Sequence, residues 1–185
     1  ANPEWVAIDL LSQAEHGPDS QVILTTDSAS LAEAVNAAVE KLLARLSRSE
    51  TTAKALEHAA IVLVKDIDYA IAVSQRYAPE HLIIQTRDAE AVAARITTAG
   101  SVFVGHYTPE SLGDYVSGTN HTLPTGGWAR SASGLAVVDF MRRMTVQTAS
   151  PSGLRELGPA GARLAAHEGL DAHRLAIELR LGGGA

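Results

Sequence analysis

The chain is 185 residues long, 46% hydrophobic and 19% charged, with a formal net charge of −6 and no cysteine. That size allows about one folded domain with a real core and a small appendage. The missing thiols exclude a disulfide scaffold, a thiolate zinc site and a cysteine nucleophile, and the acidic balance argues against a nucleic-acid surface.

The N-terminal stretch predicts a helix: Asn2 is a capping residue, Pro3 suits the first helical position, and Gly17-Pro18 punctuates the end. Residues 22–26 (VILTT) read as a short β-branched strand. Asp27 or Ser28 then opens an amphipathic helix with Leu31, Val35, Val39, Leu42 and Leu46 near a 3.6 period. A second helical segment, Glu50 to His58, leads into Ala60–Val64, a run apolar on both faces as in a buried parallel strand. A helix from Asp66 to Tyr77 ends before Pro79, and His81–Gln85 reads as a strand. Asp88–Thr98 is expected to be helical and Ser101–Val104 a strand.

Helices alternating with about four strands predict an α/β fold: a Rossmann-like parallel sheet flanked by helices. His106–Ser133 reads as a long polar loop, followed by a helix at Leu135–Met144 and a strand at Met144–Thr148. Ser150–Leu181 predicts two helices split near Gly169, with a frayed glycine end at 182–184. The expected division is therefore an α/β domain over 1–149 and a C-terminal helical appendage over 150–185. No apolar run approaches the roughly 18 residues that span a bilayer. Ala1-Asn2-Pro3-Glu4-Trp5 lacks the basic-then-apolar layout of a secretory leader, so a cytoplasmic protein without membrane or nucleic-acid partners is expected.

Four segments hold chemically able side chains. Gln13 and His16 are three apart near a helix end, on one face, where two such groups can share a metal; a solvated helix end explains them as well. Glu80-His81 sits between a helix stop and a strand start, which suits proton transfer but also an ordinary polar loop. The segment Thr108–His121 gathers acid, hydroxyl, amide and imidazole groups just after a strand, where ligands bind in open α/β sheets. His167-Glu168-Gly169-Leu170-Asp171-Ala172-His173 offers further ligands or simply a solvated turn; it is not the His-Glu-x-x-His of metalloproteases. No glycine-rich dinucleotide fingerprint and no phosphate loop is present.

Taken in order, Asp9–Gly17, Ala78–Leu82, Ala99–Ser101, Thr108–Ser111, Gly113–Tyr115, Ser117–His121 and the Glu168-Gly169-Leu170-x-Ala172-His173 ending resemble one family over nearly the whole chain, histidinol dehydrogenase. The resemblance implies oxidation of L-histidinol through L-histidinal to L-histidine, the last steps of histidine biosynthesis, with zinc and NAD as cofactors. It implies Gln13, His16, Asp114 and His173 as zinc ligands, and Glu80 and His81 as the acid–base pair. His81, His121 and Glu168, with the four ligands, would contact L-histidinol.

The family further implies a homodimer whose C-terminal helices complete the partner's site, so that Glu168 and His173 would serve the other subunit. Members of the family are longer. Most of the NAD site, whose residues in this chain are unknown, and a serine of the substrate pocket are expected in a part preceding Ala1. The chain then resembles the C-terminal half of such an enzyme, with little turnover expected from it alone. The alternative is a catalytically silent fragment that binds zinc and histidinol but lacks the NAD site.

Overall fold

The computed structural model describes residues 1–182. Local chemistry sets several helix starts. The Asn2 side chain accepts from the Glu4 N–H at 2.9 Å and Pro3 begins α1 (Pro3–Ala14). After β1 (Ile23–Thr26), Ser28 Oγ accepts from the Leu31 N–H at 3.2 Å and opens α2 (Ala29–Leu43). Helix α3 (Ser49–Leu56) leads to β2 (Ala60–Leu63). Asp66 then caps α4 (Ile67–Tyr77) by accepting from the Tyr69 N–H at 3.0 Å. Strand β3 (His81–Ile84), helix α5 (Ala89–Ala93), strand β4 (Ser101–Val104) and helix α6 (Glu110–Tyr115) follow. Beyond short 3-10 turns at Trp128–Arg130 and Val137–Phe140 come α7 (Pro151–His167) and α8 (Asp171–Gly182).

The chain forms two compact units, Ala1–Phe140 and Met141–Ala185. In the first, the apolar stripe of α1 (Val6, Ala7, Leu11) packs on that of α2 (Val35, Ala38, Leu42) to make the core. The strands are parallel, as expected of an α/β chain, and helices flank them. They form two two-stranded sheets rather than one: β1 pairs with β2 from Ile23↔Ala60 to Thr26↔Leu63, and β3 with β4 from His81↔Ser101 to Ile84↔Val104. Among the described residues β1 and β3 are each paired on one side only. Both line an open cleft of about 1350 Å³. The second unit is the α7–α8 hairpin, in which Gly158 and Gly161 let Ile177 and Leu181 approach so closely that an added Cβ would lie 3.0–3.1 Å from them. Among the described residues no helix is long and apolar enough to cross a membrane.

Several sequence expectations need correction. Strand β2 is not buried on both faces: Ile61 and Leu63 are exposed, because an apolar run records what it could bury, not what covers it. Helix α5 ends at Ala93, short of Thr98. The Thr97 and Thr98 N–H groups both donate to Gln75 Oε1 of α4, at 2.9 and 3.0 Å, and so are withdrawn from helix continuation. The 106–133 segment is not all loop, since it contains α6. The helix expected over 135–144 shrinks to the Val137–Phe140 turn and the strand at 144–148 does not form. Val137, Phe140, Met144 and Val146 are exposed, so no strand or helix partner buries them. Gly182 is the last residue of α8, and Gly183 and Gly184 lie outside the described residues.

Candidate active site

Three elements present polar side chains at the spacing that keeps them on one face. On α1, Asp9 and Gln13 are one turn apart, with His16 just past the helix end; on α6, Glu110 and Asp114 are one turn apart. His81 and Gln85, at and just past the ends of β3, are separated by an even number of residues and share a face. Side chains from all three elements interact. Gln85 Nε2 donates to Asp9 Oδ2 at 2.7 Å. His81 Nε2 lies 3.6 Å from Glu110 Oε1, with those side chains 13% and 3% exposed. The ligating atoms of His81, Glu110 and Asp114 all fall within 4.8 Å of one another. Such a group could hold a metal ion.

Burial displaces two of the acids and the imidazole from their ordinary behaviour. Burial, then the neighbouring Asp114, pushes the Glu110 carboxyl up to about 7, opposed by the nearby Gln13 amide. Burial also raises Asp9 to about 6, against the hydrogen bond from Gln85. His81 moves the other way: burial holds its imidazole below the usual value, the nearby His16 adds to this, and the Glu80 and Asp114 carboxylates oppose it. Gln13 Nε2, His81 Nε2 and Glu110 Oε1 are buried without a hydrogen-bond partner of ordinary geometry. Buried polar atoms are seldom left so.

The backbone holds these groups by close approach. The Gly100 and Ser101 N–H groups donate to the carbonyls of Pro79 and Glu80 at 2.9 and 2.8 Å, tying the Glu80-His81 pair to β4. A Cβ on Gly100 would stand 2.5 Å from the Glu80 carbonyl oxygen, so only glycine fits there. The residue before Pro79, Ala78, is buried at φ 56°, a left-handed conformation costly for any residue with a Cβ. Phe103 of β4 lies beneath His81 with ring centroids 6.0 Å apart, and Gly113 of α6 sits on the Phe103 ring edge.

The expected site residues sort as follows. Gln13, Glu80 and His81 line the cleft between β1 and β3. Asp114 and His121 line a shallow recess of about 560 Å³, with His121 Nδ1 3.4 Å from the Asp114 carbonyl oxygen. His16 is exposed at the end of α1. Glu168 caps α7 and His173 lies in the first turn of α8, both exposed in the second unit. The sequence reading missed Asp9, Gln85 and above all Glu110 as members of the cluster. The four-residue spacing of Glu110 to Asp114 was the available signal.

Comparison with known proteins agrees over the length of the chain. The family model for histidinol dehydrogenase matches residues 1–181. The histidinol dehydrogenases of Shewanella oneidensis and Idiomarina loihiensis are 58% and 57% identical to it, over 98% and 97% of this chain and 41% of each relative. The crystal structure of histidinol dehydrogenase from Elizabethkingia anophelis superposes with a TM-score of 0.94 at 45% identity, covering 98% of this chain and 42% of that one. The chain thus spans about two fifths of the length of these relatives. A match of this extent, falling on a buried imidazole–carboxylate cluster at the strand ends, leaves one assignment: the chain belongs to the histidinol dehydrogenase family.

Proposed function

We propose that this chain supplies the metal-binding and acid–base part of a histidinol dehydrogenase, an oxidoreductase that converts L-histidinol through L-histidinal to L-histidine in the last steps of histidine biosynthesis. The observation that carries this reading is the buried meeting of His81 with Glu110 and Asp114, beside Gln13, in a chain that matches the family end to end. Gln13, His16, Asp114 and His173 together offer imidazole nitrogens, a carboxylate and an amide oxygen and no thiolate, donor types that a zinc ion accepts. These four residues would hold it. When bound, zinc supplies a cationic template that orients the substrate. NAD supplies the two-electron acceptor at each oxidation, in a site this chain's residues do not identify.

The roles of the chain's own residues follow from their state. An imidazole that is neutral at pH 7 and has an unpartnered Nε2 is placed to accept a proton, so His81 takes the hydroxyl proton of histidinol as the first hydride leaves. Glu80, adjacent in sequence, takes a proton from the water that adds to the aldehyde, and the second hydride then leaves the hydrated carbon. His121 and Asp114, which share the recess, would contact the substrate together with Glu168. Leu157, Leu164, Leu175 and Leu179 are exposed on the α7–α8 hairpin, and this supports a homodimer in which that hairpin meets another subunit.

In a full-length enzyme carrying this segment, His81→Asn and Glu80→Gln are expected to lower kcat by about 10²–10⁴ while KM and bound zinc stay near wild type. Unchanged kcat in both variants would refute the assigned roles. Because the chain covers 41% of its relatives, a second reading has its own support: a silent fragment that binds zinc and histidinol without NAD. The full-length protein carrying this segment separates the two: NADH formed from histidinol and NAD is the outcome of the enzyme reading, and binding of zinc and histidinol with no NADH formed is the outcome of the silent one.

A further inference from the structure

Glu110 has no part in the chemistry above, yet it is the most buried acid of the chain, 3% exposed at the first turn of α6. Its Oε1 has no hydrogen-bond partner, and neither has Gln13 Nε2 in the last turn of α1. The two groups are near enough for the Gln13 amide to favour the ionised Glu110 carboxyl, although no hydrogen bond of ordinary geometry joins them. A primary amide has one donating and one accepting end, and the two look alike in shape. A cation needs the accepting end, and the wrong flip would turn an NH₂ group toward it. An ionised carboxylate, the form that a neighbouring cation favours, can only accept, so fixed beside the amide it selects one flip.

We propose that Glu110 is a positioning residue of the metal centre: its carboxylate holds Gln13 by the amide nitrogen, so that the Gln13 carbonyl oxygen is turned toward the ion. This rests on the reading of Gln13 as a ligand. A group that orients a ligand in this way typically changes metal affinity by 10- to 100-fold. Glu110 also lies within reach of His81 and Asp114, so the competing role is direct ligation. The two roles differ in one measurable respect. A residue acting through Gln13 loses its effect when Gln13 is gone, whereas a ligand acts independently.

The test is a double-mutant cycle on zinc affinity, read by competition with a chromophoric chelator in the full-length, folded enzyme carrying this segment. Glu110→Leu is expected to weaken zinc binding 10- to 100-fold in the wild-type background and by less than about threefold in Gln13→Ala. Glu110→Gln keeps a carbonyl oxygen able to accept from Gln13, so it is expected to lose less than Glu110→Leu. It also supplies the same cycle should the leucine variant fail to fold, which far-ultraviolet circular dichroism reports. Additive losses, equal losses from the two Glu110 variants, or no loss would each overturn the proposal. If Gln13→Ala and His16→Ala themselves leave zinc affinity unchanged, the ligand reading beneath it has failed. If those two weaken binding while the cycle is additive, only the role of Glu110 has failed.

Discussion

A single missing methyl group governs where Glu80 and His81 sit. Gly100 is needed for close approach rather than for an unusual turn, because its Cβ would press on the Glu80 carbonyl at 2.5 Å and on Pro124 Cδ at 3.2 Å. Gly100→Ala must move that strand end, at a cost of roughly 1–3 kcal/mol in line with overpacked sites. A lowered melting temperature, with kcat reduced more than bound zinc, is the expected result. The buried carboxyls give a second, pH-linked expectation. Glu110, raised from 4.5 to about 7, binds more proton folded than unfolded, so its contribution is present below pH 4.5 and is lost as pH rises through 7. His81 has the opposite sign, because its depressed value makes stability rise with pH up to its ordinary value of 6.5. Above pH 6.5 the His81 contribution levels off, while Glu110 and, to a smaller extent, Asp9, raised to about 6, go on losing theirs. Metal-free protein is therefore expected to melt at lower temperature at pH 8 than at pH 6.5, and Glu110→Gln to flatten that slope. A melting temperature that rises over this interval would contradict the burial of Glu110.

At the scale of elements, the site depends on α6 lying against β4. Gly113 makes this possible, for a Cβ there would stand 2.5 Å from Phe103 Cε1. Gly113→Ala is expected to displace α6 and with it Glu110 and Asp114, lowering zinc affinity at least tenfold while α1–α2 packing, measured by amide exchange of Leu11 and Val35, persists. The helix caps at Asn2, Ser28 and Asp66 and the strands at 81–84 and 101–104 were legible in the sequence, because each rests on local chemistry or on a bounded apolar run. Helix α6 was not. Six residues with no apolar period carry no helical signal, and the element is held by its contact with Phe103. The same blindness hid Glu110 and Gln85. Their burial arises between elements far apart in the chain, as the Asp9–Gln85 hydrogen bond across 76 positions illustrates.

Gln13, Glu80, His81, Asp114 and His121 stand in short strings far apart in the sequence, and folding puts Gln13, Glu80 and His81 on one cleft and Asp114 and His121 on one recess. Burial shifts Asp9 and Glu110 upward and the His81 imidazole downward, and leaves polar atoms without partners. What the sequence could not convey is the exposure of β2 and of the 137–146 segment, since apolar residues there have no cover among the described residues. The relatives are more than twice as long as the part this chain matches, and the open edges of β1 and β3 line the cleft that also holds Gln13 and His81.

In the proposed function Gln13, His16 and Asp114, with His173 contributed through the homodimer, hold one zinc ion. Metal analysis after dialysis of the full-length enzyme carrying this segment tests it most directly. One zinc per subunit is expected in the wild type, and a loss of most of it in His16→Ala and Asp114→Asn, with the fold intact by circular dichroism. Equal zinc in all three proteins would contradict it.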